Sequence, residues 1–327
     1  MMSQRIEHNG NLYATNFGEL GLSVDFVNGY ESPLGDTYLF NLKFMSQYNK
    51  NYLKSLIEKI AVFHHADLSL IDTKEAHFGV FDSQAIENVS LANLLCKSRE
   101  IVIGVDNLGK NITIDFNKIP HLLIAGATGS GKSVLLHNLL INLCVFYGRQ
   151  TLKVPQFIII DPKGNELSMY RNMRNTTFVD TTHNAIQTLA LACEEMDRRY
   201  THNDMNASDL FIIIDELADL MLTSKYQVEE SIVRLAQKGR ACGIHLIVAT
   251  QRPTIDVCSG LIKANMPYRF ALKTAGVRDS VVILDRKGAE TLNVGEAYFK
   301  NGVELTRLKV AYPENELMSK VIDINRG

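Results

Sequence analysis

Long apolar runs are missing from this chain. Its most hydrophobic stretches, such as LFIIID and HLIVAT, fall far short of the roughly 18 to 20 residues that a membrane-spanning helix needs. The polar start MMSQRIEHNGN has no signal-peptide core, so the expected location is cytoplasmic. Paired cysteines are missing too. Cys96, Cys144, Cys193, Cys242 and Cys258 stand far apart with no CxxC, which argues against a disulfide framework or a zinc site and for buried thiols. His64, His65, His121 and His245 show no ligand spacing and read as structural. An excess of charge is also absent: 34 basic against 36 acidic residues gives a net charge of -2, which weakens any reading as a static nucleic-acid binder coated in lysine and leaves a local basic surface open. No repeat, low-complexity segment or charged tail occurs. What remains, 46% hydrophobic and 21% charged over 327 residues, is the balance of a globular protein with room for a sizeable core.

Two regions separate by pattern. Residues 1 to 115 read as a small α+β domain: TYLFNLKF as a strand, NKNYLKSLIEKIAVF as an amphipathic helix and ADLSLIDTKEAHFGVF as further strand. EIVIGVDNLGKNITIDF follows as a hairpin turning at Asn107 to Lys110. From 116 to 327, the short runs HLLIA, QFIII, LFIII, HLIVAT and YRFALK alternate with helical patterns, which predicts an α/β fold with parallel strands buried on both faces. In the helix NAIQTLALACEEMDRRY, the stripe Ile186, Leu189, Cys193, Met196 and Tyr200 should face the core.

GATGSGKS carries the chemistry. The loop Gly126, Ala127, Thr128, Gly129, Ser130, Gly131, Lys132 and Ser133 lies between a strand and a helix. Its glycines let the backbone turn tightly and aim N–H groups at a phosphate, and the helix adds its positive end. Lys132 would reach the β- and γ-phosphates of ATP, and Ser133 would ligate Mg2+. In LFIIIDELADL, Asp215 can hold that magnesium and Glu216 can polarise the attacking water, a pairing that indicates hydrolysis. HLIVATQRP ends in Thr250 and Gln251, at the strand end where open α/β sheets place ligands, and Gln251 is a candidate sensor of the γ-phosphate. Lys238, Gly239 and Arg240 end a helix, where cations ordinarily complement the C-terminus. Asp161 and Lys163 in IIIDPKGNELS stay outside the catalytic set, because an acid at a strand end before a turn is as often structural.

Four motifs in order, PHLLIAGATGSGKS, FIIIDPKGNELSMY, IIIDELADLM and RLAQKGRACGIHLIVATQRPTIDVCSGLIKANMPYRFAL, resemble the motor region of the FtsK/SpoIIIE family within the HerA/FtsK group of ATPases. The likeness continues through SVVILDRKGAETLNVGEAYF and is weak before residue 100. The resemblance implies a RecA-like P-loop ATPase (residues 116–327) with a small N-terminal α+β domain, assembled as a hexameric homo-oligomeric ring that moves double-stranded DNA. It implies that Arg240 reaches the neighbouring subunit's nucleotide, and that Arg252 and Lys263 contact the DNA backbone. In the second channel loop the family commonly has Ser-Lys. Here KTAGVRDS has Gly276 and Val277, so Arg278 or Lys273 substitutes or the grip there is weaker. Without membrane helices, a long linker or a C-terminal winged helix, the chain resembles a stand-alone motor of a phage or mobile element, serving genome packaging, conjugative transfer or segregation and recruited by a partner protein. Two other readings stay in play: an FtsK-like ATPase of a protein secretion system, and a nucleotide switch that does not translocate.

Overall fold

The computed structural model describes residues 2–32, 35–43, 50–64, 68–72, 77–83, 89–97, 100–149, 154–204 and 207–326; His65 and parts of the 66–81 strand segment lie outside them. The chain divides into two compact units, residues 1–89 with 105–111, and residues 90–104 with 112–327.

The first unit begins with α1 (Gln4–Glu19), capped by Ser3, whose hydroxyl accepts the Ile6 N–H at 3.3 Å. The sequence pattern of this polar segment does not announce a helix, yet Ile6, Gly10, Tyr13 and Phe17 recur on one face and are buried. That face packs on a sheet of β1 (Val24–Ser32), β2 (Gly35–Leu42), β3 (Leu68–Asp72) and β4 (His77–Ser83), antiparallel in the order β1-β2-β4-β3. Gly10 leaves no room for a side chain between helix and sheet: a Cβ there would lie 2.3 Å from the Phe26 ring. α2 (Lys50–His64) adds Leu53, Leu56, Ile57 and Ile60 to the same core, around Phe17, Phe40 and Phe78. The hairpin turn falls at 107–109, with Asp106 Oδ1 accepting the N–H groups of Leu108 and Lys110 and Gly109 at φ +74°.

The second unit is built on a ten-stranded sheet. After α3 (Leu91–Lys97) come β5 (Ile101–Asp106), β6 (Asn111–Ile114), β7 (His121–Ala125), α4 (Lys132–Gly148), β8 (Gln156–Ile160), β9 (Thr176–Val179) and α5 (Thr182–Thr201). Then follow β10 (Leu210–Ile214), α6 (Leu217–Lys238), β11 (Ile244–Thr250), α7 (Gly260–Asn265), β12 (Tyr268–Leu272), α8 (Val277–Leu284), β13 (Glu296–Asn301), β14 (Glu304–Val310) and α9 (Asn315–Ile324). The spatial order is β6-β5-β14-β13-β12-β7-β11-β10-β8-β9. From β12 to β9 every neighbour pairs in parallel, whereas β13 and β14 run antiparallel. The five apolar runs thus form the parallel centre, and each is buried along most of its length. Their carboxyl ends all meet one edge, which is where the phosphate loop sits.

α4 is apolar nearly all round because it lies inside the unit, and its two amides have specific work. Asn138 donates to the carbonyls of Ile103 and Ala311, and Asn142 exchanges hydrogen bonds with both backbone groups of Val102, which ties the helix after the phosphate loop to β5. The α5 stripe is buried at Leu189, Cys193 and Met196, and Ile186 packs against the same core. Tyr200 departs from it: its ring is 40% exposed and the neighbouring Arg199 is buried instead. Cys96 is a second departure, since it is exposed while the other four thiols are buried.

His121 accepts the Leu246 N–H through Nδ1 and is 2% exposed. Burial, with His245 nearby, lowers its pKa from 6.5 to about 3. Because the unfolded chain protonates this ring first, folding stability should fall as pH drops from 6.5 towards 3. Between pH 6.5 and 5 the loss due to His121 should approach about 2 kcal/mol. Urea unfolding at the two pH values should show this loss in the parent and a smaller one in His121→Gln.

Candidate active site

The phosphate loop leaves β7 at Gly126 and turns into α4 at Lys132. Gly129 and Gly131 have φ of +76° and +103°, in the region that favours glycine. Gly126 is required for a different reason: a Cβ there would lie 2.5 Å from Ser130 Oγ and 2.9 Å from Leu272 Cβ. The N–H groups of Gly126 and Ala127 are taken by the Thr250 and Lys273 carbonyls, at 3.3 and 2.8 Å. These bonds lace the loop to β11 and to the residue after β12. Among the described residues, no acceptor meets the N–H groups of Thr128, Gly129 or Gly131. They, with the first amides of α4, are the donors available to an anion. Ser130 Oγ is buried without a partner, its residue 2% exposed, while its carbonyl accepts the Gly295 N–H at 3.0 Å. Fixed glycine turns, unspent amides and a buried orphan hydroxyl fit a triphosphate.

Lys132, on the first position of α4, bonds the Asp215 carboxylate at 2.5 Å and the Asp215 carbonyl at 2.8 Å. Both side chains are 3% exposed. Burial pushes the Asp215 carboxyl up, Lys132 pulls it down, and Asp161 and Glu166 add to the upward push. Glu216 caps α6 and is held from three sides. Its Oε1 accepts the Thr250 hydroxyl at 2.6 Å and the Ala218 N–H at 3.2 Å, and its Oε2 accepts the Gln251 N–H at 2.9 Å. Gln251 in turn accepts the Thr128 hydroxyl through Oε1 at 2.7 Å. The ends of β7, β10 and β11 thereby bring Thr128, Lys132, Asp215, Glu216 and Gln251 together. Ser133 is half-buried in the first turn of α4, beside the lysine that meets Asp215.

Asp161 is fully buried and accepts the N–H groups of Gly164, Glu166 and Leu167, which gives it a turn-forming role. Lys163 bonds Asp219 at 2.9 Å. That hydrogen bond, with the fields of Glu216 and Asp215 behind it and some desolvation against it, holds its ammonium above the ordinary lysine range. Asp219 has no motif signal of its own beyond being an acid in the first turn of α6.

Arg240 lies elsewhere. It sits in the 3₁₀ turn Gly239–Cys242 that precedes β11, while Gln251 follows that strand. Seven strand residues place it about 20 Å from its own chain's Glu216 and Gln251. It is exposed, and its Nε donates to the Asn117 carbonyl at 3.0 Å. Arg252, Lys273 and Arg278 are also exposed. Lys263 is engaged: its ammonium bonds the Val282 carbonyl and Asp285 at 2.9 and 3.0 Å, and Arg269 and Lys300 share the same carboxylate. Among the described residues no helix is long and apolar enough to cross a membrane, and no cluster of His, Cys, Asp and Glu could hold a metal by itself.

A glycine turn opening a helix, a lysine at its mouth and an aspartate at the end of a strand two places away in a parallel sheet are the parts of a P-loop ATPase site, and this protein is one of that class. A model of the FtsK/SpoIIIE family matches residues 96–209 and 201–255. The DNA translocase FtsK of Leptospira interrogans is 40% identical over 255 residues, covering 69% of this chain and 27% of that protein. The chain belongs to the FtsK/SpoIIIE family, and it spans little more than a quarter of that relative's length. Among solved structures, the type VII secretion ATPase EccC of Thermomonospora curvata aligns with a TM-score of 0.64 and 26% identity, over 74% of this chain and 35% of that one. The pCW3 conjugation coupling protein TcpA shares the fold, with a TM-score of 0.67 and 22% identity over 97% of this chain and 99% of that one.

The Thr250 hydroxyl holds Glu216 in place, while the bond to the phosphate loop is made by the Thr250 carbonyl, which a side-chain substitution leaves intact. Thr250→Val should lower kcat for ATP hydrolysis by about 10- to 100-fold through misplacement of the carboxylate, with little change in nucleotide affinity. Steady-state phosphate release and equilibrium binding of a non-hydrolysable analogue check the two halves.

Proposed function

We propose that this ATPase is a ring motor that translocates double-stranded DNA. The observation that carries the reading is the bridge made by Gln251. Its backbone holds Glu216, its side chain holds Thr128 of the phosphate loop, and the next residue is the exposed Arg252. A change at the γ-phosphate is therefore one peptide unit from a cation facing outward.

In the proposed mechanism, the triphosphate of ATP takes the amides of Thr128, Gly129 and Gly131, and competes with Asp215 for Lys132. Asp215, once released, and Ser133 would hold Mg2+, which neutralises charge on the phosphate oxygens. Glu216, oriented by Thr250, accepts a proton from the attacking water. Arg240 is too far from its own chain's site to serve it, and its exposed guanidinium suits the nucleotide of a neighbouring chain in a hexameric ring. A finger of that kind is worth about 10³ to 10⁵ in kcat. Arg252, Lys273 and Arg278 offer charge to DNA phosphates, and Lys263 does so in exchange for Asp285. Such contacts, repeated around a ring, need no net positive chain. The cytoplasm supplies both ATP and DNA.

A second reading has one specific support, the likeness to EccC, a type VII secretion ATPase. In that case a protein segment would stimulate hydrolysis and DNA would not. Lys132→Ala should abolish nucleotide binding, whereas Glu216→Gln should bind ATP and fail to cleave it. Linear double-stranded DNA should stimulate the parent. Arg252→Ala should lose this stimulation uniformly across sequences and flatten the salt dependence of DNA binding by about one unit of slope. Hydrolysis indifferent to DNA overturns the translocase reading, and stimulation by a secretion-signal peptide instead supports the second.

A further inference from the structure

We infer that Arg199 and Tyr200, in the last turn of α5, are positioning residues that clamp the turn bearing Arg240. The inference rests on the reading of Arg240 as a residue that acts on a neighbouring chain's nucleotide.

The clamp is built from both sides of Arg240. Tyr200 donates its hydroxyl to the Lys238 carbonyl at 2.8 Å, immediately before the turn. Arg199 donates from Nη1 to the Cys242 carbonyl at 2.8 Å, at the end of the turn, and to the Ser208 carbonyl at 3.1 Å. Its Nε is fixed by Glu195 at 2.8 Å. The carbonyls on either side of residues 239–241 are thus gripped by two consecutive residues of another helix. Below them the turn has no slack: a Cβ on Gly239 would lie 2.9 Å from the Ile244 carbonyl oxygen, and Gly243, at φ +69°, has Asp209 Oδ1 2.7 Å from where its Cβ would be. The Arg240 side chain is itself pinned through Nε to Asn117, and among the described residues no partner meets its Nη atoms.

These bonds do more than hold the core together. Tyr200 is 40% exposed, so its hydroxyl gains little for the interior by reaching a carbonyl. What the bond does is fix the backbone from which Arg240 projects. An arginine that must meet a phosphate on another chain works only if its backbone is fixed beforehand, because freedom left in the turn is lost again in every catalytic cycle.

The test is a double-mutant cycle on DNA-stimulated hydrolysis, read as single-turnover rates. Tyr200→Phe keeps the ring and its packing and removes the donor. It should lower the single-turnover rate by about five-fold, with nucleotide affinity and melting temperature unchanged. Arg199→Lys, whose single ammonium cannot keep the two carbonyl bonds of Nη1 together with the separate Nε bond to Glu195, should lower it further. In the Arg240→Ala background, Tyr200→Phe should cost nothing more, since a clamp acts only through the residue it holds. A parental rate in Tyr200→Phe while Arg240→Ala is inactive overturns the clamp alone. An equal loss from Tyr200→Phe in both backgrounds also overturns it. A parental rate in Arg240→Ala overturns the reading of Arg240 on which the clamp depends.

Discussion

The buried ion pair of Lys132 and Asp215 is the constraint around which the second unit is organised. Both groups are almost wholly withdrawn from water. Desolvating two charges costs about as much as their attraction returns, so such a pair is a weak source of stability. It has a functional sense instead. The lysine is kept in the site, with its charge balanced, by a carboxylate whose own burial and acidic neighbours push it towards neutrality. Under the proposed function, an incoming phosphate would compete with the aspartate for the lysine.

Around this pair the polar groups are arranged so that no member of the site moves alone. Glu216 is bound by Thr250 and Gln251, Gln251 by Thr128, and the loop amides by the ends of β11 and β12. Every one of these bonds joins the carboxyl end of one parallel strand to that of another. A sheet with that register gathers, at one edge, residues from positions 126 to 273 of the chain. The antiparallel β13 extends the support from the other side, with Gly295, just before it, bonded to Ser130.

β11 also separates two groups of polar side chains. Its carboxyl end serves the chain's own phosphate loop, while the turn before its amino end presents Arg240 outward, beyond reach of that loop. The strand between them is buried along its whole length.

By itself the sequence determined the element types of the parallel centre and the identity of the phosphate loop. Both depend on local signals: short buried runs of Ile, Leu and Val, and glycines at positions where only glycine can turn. The acids after LFIII were legible for the same reason, since a strand's end is a local property. Other features depended on distance. The helix at Gln4–Glu19 is too polar to be seen by pattern, and forms because its few apolar residues meet an aromatic sheet face. Arg199 and Tyr200 exchange their expected exposures because the end of α5 meets the turn after α6, a contact between segments about 40 residues apart. Lys263 looks like a free cation in the sequence and is held by Asp285, which follows it by 22 residues. Which carbonyl a side chain meets is set by how strands and helices pack, and only the tertiary structure decides that.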